Sequence, residues 1–307
     1  MIEVQGLTKK YGELVAVRDL TFKVEAGRIW GLLGPNAAGK TTTMRILTGY
    51  LPATSGRAVV AGFDVFDKPD EVKRSIGYLP EVVPLYQDMT VTSYLGFVAE
   101  IKQVPKAKRK AAVDRVIGSA GLKDVRGRLI RNISRGFKQR VGIAQAMIHD
   151  PQVLILDEPT IGLDPAQIRE IREIIKGLRG EHTILLSTHI LPEVTQVCDG
   201  VVIINEGRLM ASGSLESLAA SVEKRDGVIL KFRALDAEAV EPFRAVPGVE
   251  KVSREDGELR VEWSRGKDLR DSVVRLALEK GLGLQEMRSL AGIEDLYMKI
   301  VSGGPEQ

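Results

Sequence analysis

The 307-residue chain has one cysteine, Cys198, so it cannot form an internal disulfide. A lone cysteine is most simply a small buried apolar residue, which is compatible with a reducing compartment. Aromatic residues make up 5% of the chain and the net charge is +3. Such a composition offers few platforms for base stacking and only a weak field for attracting a polyanion. We therefore expect no nucleic-acid partner.

Long apolar runs are also absent. No stretch approaches the roughly 20 apolar residues that cross a bilayer, and residues 1–4 do not begin the basic-then-apolar pattern of a secretory signal. We therefore expect a chain that stays in the cytoplasm.

A phosphate-binding loop is the strongest signal in the sequence. Residues 34–41 contain two glycines separated by four residues, then Lys40 and Thr41. The apolar residues 29–33 predict a strand before this loop, and residues 42–47 predict a helix after it. Backbone N–H groups and a helix N-terminus then converge on an anion. The residues expected to bind the nucleotide phosphates are Gly34, Pro35, Asn36, Ala37, Ala38, Gly39, Lys40, Thr41 and Thr42.

Two carboxylates follow a second apolar strand. Residues 153–156 predict a buried parallel strand that ends in Asp157 and Glu158, at the same sheet edge as the phosphate loop. Phosphoryl transfer needs Mg²⁺ held by a loop hydroxyl and an Asp, and a group that orients the attacking water. Thr41 and Asp157 meet the first need, and Glu158 meets the second.

Hydrophobic patterning predicts an α/β fold with a P-loop NTPase core. Residues 1–27 read as antiparallel strands of a side sheet, and residues of about 86–148 read as a helical insert. Apolar strands at 153–156 and 183–186 flank a helix that starts with Asp164 as N-cap and Pro165 as the first helical residue. This order predicts a parallel sheet covered by helices on both faces.

The remainder of the chain predicts a second, smaller domain. Its strand-helix-strand-strand-helix-strand order, from Gly227 to Ser289, is the α+β ferredoxin-like plan. We set the domains at 1–219 and 227–307, joined by a polar linker-like stretch at 220–226. A final short helix is predicted to carry Ile293, Leu296, Tyr297 and Ile300 on one side.

Together these motifs resemble the ATP-binding cassette (ABC) family, from Met1 to about Gly213. Further segments follow that family's order: residues 9–12, 77–81, 133–140, 162–164 and His189. The resemblance implies that Tyr11 stacks on adenine and that Ser134, Arg135 and Gly136 belong to the signature that closes on a second protomer's nucleotide. It also implies that Asp164 lies in a loop linking the two sites.

Two further roles follow from the resemblance. His189 would contact the γ-phosphate and help Glu158 orient the water, and Glu81 would act as a metal ligand in the loop that touches the transmembrane partner. The remaining histidines, His149 and His182, match no motif and are predicted to be surface or turn residues.

The resemblance also implies cofactors and partners. These are ATP and Mg²⁺, a homodimer formed through an ATP sandwich, integral membrane transport subunits, and a peripheral location at the cytoplasmic face of the membrane. The small C-terminal domain resembles an accessory domain of export-type cassettes. A nucleotide-dependent switch or clamp with little hydrolysis is the alternative, against which Glu158 and His189 count.

Three positions depart from the usual family pattern. Ala37 replaces a glycine where the loop often has a positive φ, which costs an L-residue on the order of 1–2 kcal/mol and predicts a lower nucleotide affinity. Glu81 replaces a glutamine; it keeps a metal-binding oxygen but adds negative charge, and residues 79–81 resemble a variant of some bacterial export systems. Arg135 replaces a small residue in the signature.

Overall fold

The computed structural model describes residues 1–222, 225–233, 240–255, 258–264, 267–289 and Tyr297. The chain divides into two compact units, Met1–Ser214 and Leu215–Gln307. The linker prediction for 220–226 is wrong in part, because a helix covers Leu215–Val222 and a strand covers Arg225–Phe232. The helix begins before this stretch, with apolar residues at helical spacing at Leu215, Leu218 and Val222, and Leu218 is buried; the linker prediction considered only the polar residues that follow.

The first unit contains two sheets and helices packed on them. Its strands are β1 Ile2–Tyr11, β2 Leu14–Val24, β3 Ile29–Leu33, β4 Ser55–Val60, β5 Phe63–Asp64, β6 Ile76–Leu79, β7 Val153–Leu156, β8 Thr183–Thr188, β9 Gly200–Asn205 and β10 Arg208–Ser214. Its α-helices are α1 Lys40–Leu47, α2 Pro69–Ser75, α3 Val91–Ile101, α4 Lys106–Ser119, α5 Arg135–Met147, α6 Pro165–Gly177 and α7 Leu191–Val197.

The larger sheet is the predicted parallel core. Its strand order is β10-β9-β3-β8-β7-β6, and every pairing is parallel except that of β10 with β9. All residues of β3, β7 and β8 are buried, as expected of parallel strands covered on both faces. Leu33 pairs with Thr188, and Leu156 with Leu186, so these three strands end side by side. The residues that follow them therefore share one edge of the sheet.

The smaller sheet confirms the predicted antiparallel strands at the start of the chain. Its order is β2-β1-β4-β5, and the β1–β2 register pairs Ile2 with Val24 and Val4 with Phe22. These four side chains are buried in a core shared with α1 and the parallel sheet. The burial of alternate residues fixes the register, because a one-residue slip would turn these side chains outward.

The helical insert lies between β6 and β7. It comprises α3, α4 and α5, with short 3₁₀ turns at Lys123–Val125 and Ile130–Asn132. Val91, Tyr94 and Leu95 are buried on α3, and Val116 and Ile117 on α4. None of the described helices is long and apolar enough to cross a membrane.

The second unit has the ferredoxin-like strand order. Its elements are α8 Leu215–Val222, β11 Arg225–Phe232, α9 Glu241–Arg244, β12 Val249–Glu255, β13 Glu258–Ser264, α10 Arg270–Glu279 and β14 Leu284–Ser289. The sheet is antiparallel in the order β12-β13-β11-β14, over a core that includes Phe243 and Trp263. The predicted final helix lies outside the described residues, apart from Tyr297.

His182 and Cys198, to which the sequence assigned no role in the site, are both buried, and the burial of His182 was not expected. His182 adjoins the turn before β8, but it is 4% exposed and its Nδ1 lies 2.6 Å from the carbonyl oxygen of Pro151, so of the predicted surface or turn position the surface alternative is wrong. The backbone turn before β8 folds this side chain inward, which no local pattern indicates. Cys198 is buried as predicted, and burial raises the pKa of its thiol, so it is an unreactive core residue.

Candidate active site

The phosphate loop connects β3 to α1 as predicted. Gly39 is the N-cap of α1, with φ of 99°, and a Cβ there would lie 2.6 Å from the carbonyl oxygen of Ala16. Only glycine fits both constraints. Ala37 has φ of 65°, the left-handed conformation that the sequence predicted to be strained for a residue other than glycine.

Lys40 lies inside the curve of the loop. Its Nζ donates hydrogen bonds to the carbonyl oxygens of Gly34 (2.8 Å) and Pro35 (3.1 Å), and it lies 3.4 Å from Oε1 of Glu158. The Lys40 and Glu158 side chains are 7% and 8% exposed. Because both are buried, the two charges compensate each other, and the loop carbonyls add to the stabilisation of the Lys40 ammonium.

Glu158 joins Lys40 to His189. The second carboxylate oxygen, Oε2, lies 3.0 Å from Nδ1 of His189, whose side chain is 39% exposed. The backbone at Glu158 has φ of 46°, and its N–H donates to Oγ of Ser187 (2.8 Å). A non-glycine residue in this conformation is a form of strain found at functional sites. The three side chains lie on the segments that follow β3, β7 and β8, and the sheet register brings the ends of these strands together.

Asp157 has the geometry expected of a metal ligand. Its Oδ1 accepts hydrogen bonds from Ser187 (2.6 Å) and from the hydroxyl of Thr41 (3.4 Å). Its Oδ2 is buried and has no hydrogen-bond partner in the part of the chain that the structure describes. A buried carboxylate oxygen without a partner, next to the loop hydroxyl, fits Mg²⁺, a cation that binds proteins through one or two carboxylates and substrate phosphates. Burial, followed by the charge of Asp157, raises the pKa of nearby Tyr78 to about 12.

A cavity of about 560 Å³ opens beside these groups. Its wall includes the loop from Asn36 to Thr42 together with Glu81, Glu158 and His189. The structure thus brings Glu81, which is distant in sequence, to the same cavity. Ala16 and Ile161 also line it and were missed, since no chemical feature distinguishes two apolar side chains. Ser187, which donates a hydrogen bond to Asp157, was also missed. The signal that could have identified it is the pair of polar residues, Ser187 and Thr188, at the end of an otherwise apolar strand.

The signature residues lie apart from that wall. Ser134 is the N-cap of α5, as predicted, and accepts a hydrogen bond from the N–H of Phe137 at 3.4 Å. Arg135 donates to the carbonyl oxygen of Ile161 (3.1 Å), and a Cβ on Gly136 would lie 2.7 Å from the side chain of Gln167. The signature therefore packs against the segment that follows Glu158, but Ser134, Arg135 and Gly136 do not line the cavity.

Two more predicted residues also lie away from the cavity wall. Asp164 caps α6, accepting hydrogen bonds from the N–H groups of Ala166 (3.0 Å) and Gln167 (2.9 Å). Tyr11 is 45% exposed at the end of β1, and the ammonium of Lys9 lies 5.2 Å from its ring centroid.

The motifs and this geometry agree with known proteins. The family model for ABC transporters matches residues 17–161. The bacitracin transport ATP-binding protein BcrA of Bacillus licheniformis is 36% identical to this chain, over 99% of the chain and 98% of that protein. This chain is an ABC transporter ATP-binding protein. As an ABC ATPase, it binds ATP and hydrolyses it to drive transport.

Solved structures agree with the cassette fold. An ATP-binding subunit of an ABC transporter is 30% identical, with a TM-score of 0.66, over 72% of this chain and 93% of that one. A dimeric cassette in a post-hydrolysis state, bound to ADP and Pi, is 21% identical with a TM-score of 0.63, over 70% of this chain and 99% of that one. At that identity the second likeness concerns the fold of the ABC cassette alone.

Proposed function

We propose that this ABC ATPase powers export through separate integral membrane subunits, and that two copies share two ATP sites. The observation that carries the shared-site proposal is the position of the signature. Ser134 and Gly136 lie outside the cavity lined by the phosphate loop, and Ser134 is exposed at the start of α5. We therefore assign this helix start, with the Ser134 hydroxyl, to the nucleotide of a second copy. The solved dimeric cassette of the same fold is consistent with this arrangement.

In and around this cavity the side chains take separate roles. Lys40 binds the β- and γ-phosphates in place of the carbonyl groups of Gly34 and Pro35. Thr41 and Asp157 hold Mg²⁺, which supplies charge neutralisation at the phosphate oxygens. Tyr11 stacks on adenine at the edge of the smaller sheet. Glu81, on the cavity wall, is the third candidate metal ligand.

Glu158 and His189 act on the attacking water. A carboxylate oxygen of Glu158 accepts a proton as the water oxygen bonds to the γ-phosphorus and the bond to the departing ADP oxygen breaks. The hydrogen bond between Glu158 and His189 fixes the carboxylate, while the imidazole, 39% exposed, is accessible to the γ-phosphate. The presence of both groups favours hydrolysis over the alternative of a switch that hydrolyses little.

Mixing two inactive variants tests the shared site. In a Lys40→Ala variant the phosphate loop is defective, and in a Ser134→Arg variant the signature is blocked. A mixed dimer contains one site built from the intact loop of one copy and the intact signature of the other. We expect ATP hydrolysis to recover on mixing to about a quarter of the wild-type rate, since each variant alone disables every site. No recovery, with ATP binding retained by the Ser134 variant, would count against sharing.

An exposed apolar surface next to Glu81 is the proposed docking site for the membrane subunit. Val82 is 81% exposed and Tyr86 56%, and the Tyr86 ring packs 5.4 Å from that of Phe97 on α3. Exposed apolar groups grouped in this way mark interaction surfaces. This docking would hold the protein at the cytoplasmic face of the membrane. The resemblance of residues 79–81 to an export-type variant supports the direction of transport.

A photo-crosslinking experiment tests the docking site. A photoreactive residue is placed at Val82, and a matched control at Leu14, which is 68% exposed on the smaller sheet. In membranes from the source cell, we expect Val82 to crosslink to an integral membrane polypeptide and Leu14 not to do so. Equal crosslinking from both positions, or from neither, would contradict the proposed surface.

A further inference from the structure

A buried carboxylate behind the cavity is used by none of the roles above. Glu193, on α7, is 4% exposed. Its Oε1 accepts a hydrogen bond from the hydroxyl of Thr160 (2.5 Å), and its Oε2 accepts one from the hydroxyl of Thr188 (2.7 Å). Thr160 is 6% exposed and Thr188 0%. Short bonds from a hydroxyl to a carboxylate are strong and hold their partners in one geometry.

The two threonines flank the groups proposed to act on water. Thr160 lies two positions after Glu158, in a turn where the N–H of Ile161 donates to the carbonyl oxygen of Glu158 (3.2 Å). Thr188 immediately precedes His189, and its hydroxyl also accepts a hydrogen bond from the N–H of Ile190 (3.0 Å). The carboxylate therefore ties the segment that follows Glu158 to the segment that carries His189.

We infer that Glu193 is a positioning residue: by holding Thr160 and Thr188 together, it sets the distance between Glu158 and His189. This inference rests on the roles proposed for those two residues. The bond between Glu158 and His189 joins two separate chain segments, and it closes only if both are held in place. Misplacing reacting groups by about 1 Å can cost on the order of 100-fold in rate.

The histidine signals provide a readout that does not depend on hydrolysis. The chain has three histidines, so ¹⁵N-histidine labelling gives three sets of ring signals, which can be assigned by substituting His149 and His182 in turn. In Glu193→Ala we expect the His189 signals to move toward those of Glu158→Ala, which lacks the bond altogether. The His149 and His182 signals should remain in place. A His189 spectrum unchanged by Glu193→Ala would overturn the inference.

Kinetics give the second readout. We expect Glu193→Ala to lower kcat by about 10- to 100-fold, with ATP affinity changed by less than about threefold, because the phosphate loop is not altered. Glu193→Gln should retain most of the activity, since its amide and the rotatable hydroxyls can rebuild both bonds. If Glu193→Ala does not fold, Thr160→Val repeats the test, because it removes one bond and conserves the side-chain volume.

Val194→Ala is the matched control. Val194 is fully buried on the same helix, where its side chain packs against Gly31 of β3, and it has no polar group with which to hold the two threonines. The Val194→Ala substitution should lower the thermal unfolding midpoint but leave both the His189 signals and kcat unchanged. If Val194→Ala reproduces both effects, general loosening of α7 explains them and the inference fails.

Two further variants separate this inference from the proposed function. If Glu158→Ala and His189→Ala hydrolyse ATP at the wild-type rate, the proposed roles are wrong and the inference falls with them. If those two variants lose activity while Glu193→Ala and Thr160→Val do not, the proposed roles stand and only the inference about Glu193 fails.

Discussion

The carboxylate of Glu158 lies between two nitrogen groups: Lys40 Nζ at 3.4 Å and His189 Nδ1 at 3.0 Å. Residues that are 118 positions and 31 positions away in the chain thus meet on one side chain. The meeting depends on the parallel register of β3, β8 and β7, which places the ends of the three strands side by side. With the roles proposed for these residues, this arrangement connects phosphate binding to activation of water.

Glu158→Gln should separate ATP binding from hydrolysis. The amide keeps the size of the side chain but cannot accept a proton from water, so we expect hydrolysis to fall by at least about 100-fold while ATP still binds. With Mg-ATP the variant should accumulate as a dimer in size-exclusion chromatography. Glu181→Gln, at an exposed site, is the matched control and should behave as wild type. A Glu158→Gln protein with wild-type turnover would show that another group activates the water.

Asp157→Asn should raise the Mg²⁺ concentration needed for half-maximal hydrolysis, by about 10-fold or more. The substitution removes the charge next to the unpartnered Oδ2 and leaves the hydrogen bonds to Thr41 and Ser187 available. A Mg²⁺ titration of ATPase activity measures the effect. Asp199→Asn is the control, because Asp199 pairs with Arg28 and Arg179 instead. An unchanged Mg²⁺ requirement in Asp157→Asn would exclude Asp157 as a ligand.

Ala37→Gly should increase ATP affinity. Ala37 holds a left-handed backbone at φ of 65°, and glycine adopts it with about 1–2 kcal/mol less strain. Relief of that strain on binding corresponds to a gain of about 5- to 30-fold in affinity, measured by nucleotide titration without hydrolysis. Ala61, with φ of 53° in the turn between β4 and β5, is the matched alanine. If Ala61→Gly changes affinity as much as Ala37→Gly does, the effect does not come from the phosphate loop.

His149 should make stability depend on pH below neutrality. Burial, followed by the charge of Lys102, lowers the pKa of His149 from 6.5 to about 4, and its Nε2 lies 2.9 Å from the carbonyl oxygen of Ile76. Between these two pKa values the unfolded chain binds the proton and the folded chain does not. The contribution of His149 to the free energy of unfolding is therefore complete above about pH 6.5, and it is lost progressively as the pH falls toward about 4.

A His149→Gln variant measures that contribution. Glutamine does not titrate, so the unfolding midpoint of the variant should fall less steeply than that of wild type between pH 6.5 and 4. The comparison is made by thermal unfolding across that range, with the difference at pH 8 as the reference for lost packing. Parallel curves for the two proteins would contradict the assigned role of His149.

Some of the site could be predicted from the sequence because it is local. The residues of the phosphate loop are contiguous in the sequence. An apolar run indicates the strand before the loop, and Gly39 marks the start of the helix after it. Asp157 and Glu158 could be placed near the phosphate loop because the carboxyl ends of parallel strands lie at one edge of the sheet. The capping roles of Ser134 and Asp164 likewise follow from residue type at a helix start.

The rest depends on which segments meet in space. The side chain of Glu193 becomes informative only when α7 is packed, since its two partners come from different loops. His182 is buried beside the turn that precedes β8, and Ala16, on β2, lines the cavity because its backbone packs against the phosphate loop at Gly39. These are tertiary relationships, which periodicity and local composition do not encode.

The most direct test of the shared-site account is Mg-ATP hydrolysis per molecule across a wide range of protein concentration, with mass measured at each point. The account predicts that activity per molecule falls on dilution, in step with the loss of dimer. Constant activity per molecule in samples shown to be monomeric would mean that one chain contains a complete site, and would contradict it.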